Sequence, residues 1–287
     1  MTAAIAPFSL NLLQDVGAML QVDFMRQALL AGTVLAVAAG LVGYFVVLRH
    51  LAFAGDALSH VAFTGALGAA VVGLNPLVGL FGVTTLVAIG MGALGERARG
   101  RDVAIGTVLA WVLGLGALFV SIYTARASAA NSTFGVTVLF GSIFGLRAQQ
   151  TRLVVLIGAG AIVALLLIAR TLLFASIDPE VAAVRGVPVR GLNLVFLVLL
   201  AITVGEAVQA VGALLIFALL VTPAAIAQRL LTRPFAALLL SALLAVAFTW
   251  IGLTIGFYTP YPVSFLISGL AFVTYVAVIA WQRVRTS

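Results

Sequence analysis

The chain has 287 residues, 64% of them hydrophobic and only 8% charged, with a mean hydropathy of +1.28. Soluble domains carry about 25% charged residues, so this composition excludes a soluble enzyme or regulatory domain. The net charge of +7 comes from basic residues that are all Arg, scattered at the ends of apolar runs; that is the distribution of the positive-inside rule, not a nucleic-acid face.

Residues 1–23 lack a basic n-region and contain Asp15 and Asp23, unlike a signal peptide. Ile5, Phe8, Leu12, Leu13, Val16, Met19 and Leu20 fit a loosely amphipathic interfacial helix, so residues 1–25 are expected at the outer surface. Nine apolar runs follow, at 26–48, 55–74, 77–95, 103–125, 151–174, 191–209, 211–229, 234–256 and 261–281. A helix needs ~20 residues to cross a hydrocarbon core of ~30 Å, and the ~10-residue alternation of a membrane barrel is missing. The fold class is therefore all-α, a polytopic transmembrane helical bundle in one domain, 1–287. Thr222-Pro223 is expected to kink the seventh run.

The segment Thr133–Leu146 is left over, short and holding Gly141 and Gly145. Arg placement bears on it. The basic cluster Glu96–Asp102 is the densest in the chain and marks the cytoplasmic side. If 133–146 is a re-entrant or short external half-helix, Arg49, Arg97, Arg99, Arg101, Arg170, Arg185, Arg190, Arg229, Arg233, Arg283 and Arg285 all fall inside. A full crossing moves several of them outside. The expected topology is nine spans with the N-terminus outside and the C-terminus cytoplasmic; a tightly packed short span at 133–146 is the alternative. Gly141-x-x-x-Gly145 and Gly252-x-x-x-Gly256 have the spacing of close helix contacts.

Charges at membrane depth are costly and usually face a cavity or partner. In Gly55-Asp56-Ala57-Leu58-Ser59-His60, the Asp56 carboxylate and the His60 imidazole are four residues apart and share one helix face, with Ser59 beside them. Such a pair suits Zn²⁺, Mn²⁺ or Fe²⁺. With no Cys in the chain, any metal must be met by oxygen and imidazole. Two ligands do not close a tetrahedral site; a two-fold dimer with this face on its axis would supply four. Alternatively, Asp56 caps its helix and pairs with His60 or Arg49.

In the 176–190 loop, Asp178 is a good N-cap, Pro179 suits the first helical position, Glu180 complements the helix dipole, and Gly186 can end the helix in the αL conformation before Pro188. A two-turn cytoplasmic helix here, bearing Arg185, has the form of a docking element. Its alternative is an ordinary capped loop. Glu206 and Gln209, near the outer end of the sixth run, are candidates for the path by which a cation enters, or else Glu206 snorkels to the interface. No phosphate-binding loop and no metalloprotease motif is present, so no catalytic residue is assigned.

The stretches Leu29–Gly68, Leu139–Leu146, Asp178–Val189 and Val211–Leu231 resemble the permease subunits of zinc/manganese ABC importers, above all at the GDALSH segment. The resemblance implies a type II ABC importer permease fold in a bacterial plasma membrane. It implies a homodimeric pore, cytoplasmic ATP-binding subunits that hydrolyse ATP, and an external metal-binding protein. It also implies that Asp56, His60 and Ser59 lie on the metal path, that Asp178–Gly186 is the ATPase-coupling helix, and that the metal is substrate, with no permanently bound cofactor. One departure is the outer loop Phe257–Pro262, which lacks the acidic residue frequent in that family. A vitamin B12/siderophore-type permease or an ATP-independent cation transporter is the alternative; the Asp/His pair favours a bare cation over the first, and the docking helix favours ATP drive over the second.

Overall fold

The computed structural model describes residues 21–93, 98–126, 141 and 143–286. In chain order these form α1 (Asp23–Leu48), α2 (Ala52–Val72), α3 (Pro76–Ala93), α4 (Ala98–Arg126), a 3₁₀ turn (Ile143–Gly145), α5 (Ala148–Ile177), α6 (Pro179–Val184), α7 (Val189–Val211), α8 (Ala213–Leu230), α9 (Pro234–Tyr258) and α10 (Val263–Thr286). The expected interfacial segment lies mostly outside the described residues, as does most of Thr133–Leu146. Only Gly141 and the 3₁₀ turn from that second segment are described.

Eight described helices are long and apolar enough to cross a membrane, which makes this a multi-pass membrane protein. The expected seventh run is realised as α8, 18 residues long. Gly212, at φ 87°, breaks the chain between α7 and α8. Pro223 stays inside α8 and deprives the carbonyl of Leu219 of its helical partner.

The helices fall into inner and outer sets. Most of α1, α2 and α7 is buried, whereas α4 and α10 keep most of their length on the outside. The inner helices approach closely because they present small residues. On α1, Ala28, Ala31, Ala36 and Ala39 are fully buried. A β-carbon at Gly40 would meet the Ala242 Cα of α9 at 2.6 Å, and one at Gly43 would fall on the Leu220 carbonyl of α8. Side chains fasten the same seams. Ser241 Oγ donates to the Gly40 carbonyl at 2.7 Å, Gln228 Nε2 to the Tyr44 carbonyl at 2.8 Å, and Trp250 Nε1 to Thr33 Oγ1 at 2.8 Å. In a bilayer, where lipid tails remove the hydrophobic gain of helix association, packing and such bonds carry it.

The glycine pair Gly252/Gly256 behaves as its spacing predicts, both members lying against α10, at Ile267 and Val263. Gly141, at φ 71°, is pressed against the Val211–Gly212 backbone.

Substituting Gly43→Ala drives a methyl into the Leu220 carbonyl and is expected to cost about 1–3 kcal/mol or more. Gly82→Ala on α3, where nothing lies within 4 Å, is expected to be neutral or slightly stabilising. Thermal melting of the two variants in detergent checks this; equal melting would mean that the α1–α8 seam yields.

Candidate metal path

The N-terminal half of α2 is covered almost everywhere. Ala54, Ala57, Leu58, Ser59, Val61 and Ala62 are at most 2% exposed. One stripe stays open, formed by Phe53, Asp56 and His60, whose spacing of three and four residues is that of a single helix face. His60 Nε2 stands 3.9 Å from Asp56 Oδ1, with side-chain exposures of 20% and 34%. That is near enough for attraction and too long for a hydrogen bond. His60 Nδ1 is buried without a hydrogen-bond partner.

Neighbouring helices set this opening. Leu220 of α8, which abuts Gly43 with its carbonyl, turns its side chain onto Gly55, where a β-carbon would be 3.1 Å away. Further along, Thr64 Oγ1 donates to the Val112 carbonyl of α4 at 3.1 Å, closing the stripe beyond His60.

Ser59 lies elsewhere. It is fully buried, and its hydroxyl donates to the Asp56 carbonyl at 2.7 Å. The pair Asp56/His60 is thus brought together, with Ser59 beneath it in the helix packing. The capping alternative for Asp56 is not realised: α2 begins at Ala52 behind N-cap Leu51, so Asp56 sits a full turn inside. The Arg49 guanidinium lies over the Phe196 ring of α7 at 5.4 Å.

Glu206 does not join the stripe. It is fully buried and lies against α5 and α1. A β-carbon at Gly158 would meet its Oε1 at 2.7 Å and Val34 Cγ1 at 2.6 Å. Snorkelling is therefore not what Glu206 does here. Gln209, one turn on, is half-buried. Among the described residues no three His, Asp or Glu side chains cluster as metal ligands; those residues bring together the Asp56/His60 pair.

The helix read from the 176–190 loop forms as α6. Asp178 Oδ1 accepts from the Val181 amide at 2.9 Å, Pro179 opens the helix, and Gly186 ends it at φ 84°. Ala182 is buried as its anchor, while Val184 is 90% exposed. Arg185 stacks over Phe174 of α5 at 5.8 Å. Between α6 and the start of α7 lies a cleft of ≈ 580 Å³ lined by Pro179, Glu180, Ala183, Pro188, Val189 and Arg190, among others. The exposed short helix and the adjoining cleft together form one open surface beside the start of α7.

Residues 21–282 match the ABC 3 transport family. The chain belongs to that family. The fold expected for a metal-ion ABC permease is likewise found: the chain resembles the solved PsaBC from Streptococcus pneumoniae in complex with Fab, with a TM-score of 0.81 and 26% identity over 93% of this chain and 95% of that one. Among relatives, it is 30% identical to the manganese transport system membrane protein MntC of Listeria innocua, covering 91% of this chain and 90% of the relative. It is 31% identical to the manganese import system permease protein ScaB of Streptococcus parasanguinis, over 83% of each.

Within this ABC 3 family permease, Phe53 is the stripe residue that sequence reasoning passed over. Its positions three before Asp56 and seven before His60 were the available signal. A second cavity, of ≈ 340 Å³, is lined by Gly141, Phe144, Val211, Tyr261 and Ser264 among others, and none of its lining residues is acidic or an imidazole. This agrees with the missing acidic residue in the Phe257–Pro262 loop.

Removing the α6 cap by Asp178→Ala is expected to destabilise that helix by about 1 kcal/mol. Amide exchange at Val181 and its neighbours should then quicken about five-fold, with Asp178→Asn retaining most of the protection. Unchanged exchange in Asp178→Ala would mean that α6 is held by its packing alone.

Proposed function

We propose that this permease forms half of the pore of an ATP-driven importer for a divalent transition metal ion, with manganese the leading substrate and zinc and iron the next. The observation that carries this reading is the half-site on α2: a carboxylate and an imidazole on one open stripe of an otherwise covered helix. Oxygen and nitrogen donors of this kind suit first-row divalent ions. Two of them bind a dehydrated cation too weakly to retain it, while a homodimer with the stripes facing each other provides two Asp56 and two His60. The names of the MntC and ScaB relatives support manganese. Ser59, buried beneath the pair, keeps the local helix in register through its bond to Asp56.

The remaining parts follow from chemistry that the chain lacks. It carries no nucleotide-binding motif, so ATP is bound and hydrolysed by cytoplasmic partner subunits seated on α6 and its cleft. An external metal-binding protein delivers the ion. The Arg distribution supports an N-terminus outside and a C-terminus in the cytoplasm of a bacterial plasma membrane. Asp178 caps both the end of α5 and the start of α6, so a push on α6 passes directly into α5. In this scheme Glu206 and Gln209 serve the cation only in a state where α5 has moved off α7, since Glu206 is buried against Gly158.

Asp56→Ala and His60→Ala are each expected to abolish metal uptake and metal-stimulated ATP hydrolysis while leaving assembly with the ATPase intact. Reconstituted complexes assayed with Mn²⁺, Zn²⁺ and Fe²⁺ test this, and ordinary uptake by both variants would overturn the path. Glu180→Ala and Arg185→Ala should instead weaken the coupling of hydrolysis to the metal. Undiminished stimulation in those two would remove α6 from the coupling role.

A further inference from the structure

Three helices end in the same hydrogen-bonded motif. After α6, the amides of Gly186 and Val187 donate to the carbonyls of Ala183 and Ala182; after α2, those of Gly73 and Leu74 donate to Ala70 and Ala69. After α1, those of His50 and Leu51 donate to Val47 and Val46. This is the Schellman ending, whose left-handed residue is usually glycine. Gly186 and Gly73 obey at φ 84° and 83°, whereas the third position holds His50 at φ 55°. It is the one non-glycine residue with positive φ among the described residues. Histidine is tolerated in this conformation better than most side chains, but its β-carbon gains nothing there over glycine. A local rule broken without a local gain is expected where the side chain is used.

The position of His50 says what that use is. The chain has two histidines in total, and they bracket the open stripe of α2. His50, Phe53, Asp56 and His60 follow at intervals of three, three and four residues. His50 is exposed and lies in the turn ahead of α2, which begins at Ala52, six residues before Asp56. Its imidazole is a donor for the same first-row ions as the stripe itself.

We infer that His50 is a transient ligand at the cytoplasmic mouth of the path, accepting the divalent ion as it leaves Asp56 and His60. The inference rests on the path and orientation proposed above. The test uses His50→Gly and His50→Asn, two residues at home in the left-handed conformation, in the reconstituted complex with Mn²⁺. Both should fold, with His50→Gly melting at or above the parent temperature. Both should bind Mn²⁺ at Asp56/His60 unchanged and import it several-fold more slowly. Import at the parent rate by both variants overturns the role; so does a loss of ATPase assembly, which would make His50 a docking contact. With no native Cys, His50→Cys gives a clean label site, and modification by a membrane-impermeant maleimide is expected only from the cytoplasmic face. Labelling from the outside overturns the inference. Failure of the stripe itself would show separately, as normal uptake by Asp56→Ala with His50 intact.

Discussion

The close approach of α1 to α8 and α9 is the constraint on which the rest of this bundle depends. Gly40 and Gly43 bring the α1 backbone against Ala242 and the Leu220 carbonyl, and the Ser241 hydroxyl closes the seam on the Gly40 carbonyl. A carbonyl facing a glycine Cα at such range has the geometry of a Cα–H···O contact, a weak interaction that recurs where helices pack closely. Leu220 also meets a third partner, with its carbonyl on α1 and its side chain on Gly55 of α2. One residue later comes Asp56. Glycines on two helices and a leucine on a third thus pack beside the start of the α2 stripe.

From that arrangement the division of labour among the charged residues follows. Asp56 and His60 lie on an opening, partly exposed and 3.9 Å apart, and so can meet an ion. Glu206 is walled in by Gly158 and Val34 and cannot do so in this conformation. The two regions are joined mechanically through α5, which carries Gly158 in its first half and shares Asp178 with α6 at its end. Under the proposed function, a motion imposed on α6 by an ATPase therefore reaches Glu206 along a single helix.

Much of this was legible in the sequence. The spans were, because a hydrocarbon core demands about 20 apolar residues and few other folds supply them so regularly. The α6 helix was legible because Asp178, Pro179 and Gly186 each have one strong positional meaning, and the Asp56/His60 face because a four-residue spacing has one geometry on a helix. What was hidden depends on neighbours distant in the chain. Ser59 reads as a member of the polar face, yet its side chain turns into the packing. Glu206 reads as a mouth residue near the end of a span, yet Gly158, 48 positions earlier, receives it in the interior. The left-handed His50 needed the hydrogen bonds of its turn.

On the proposed function, the α2 stripe is half of a cation site completed by a second copy of the chain. The most direct measurement is pulsed electron paramagnetic resonance of Mn²⁺ bound to the purified permease–ATPase complex, with binding stoichiometry determined in parallel. One Mn²⁺ per two permease chains, coupled to two equivalent imidazole nitrogens, is the expected result. One ion per chain, or a bound ion with no nitrogen coupling, would contradict it.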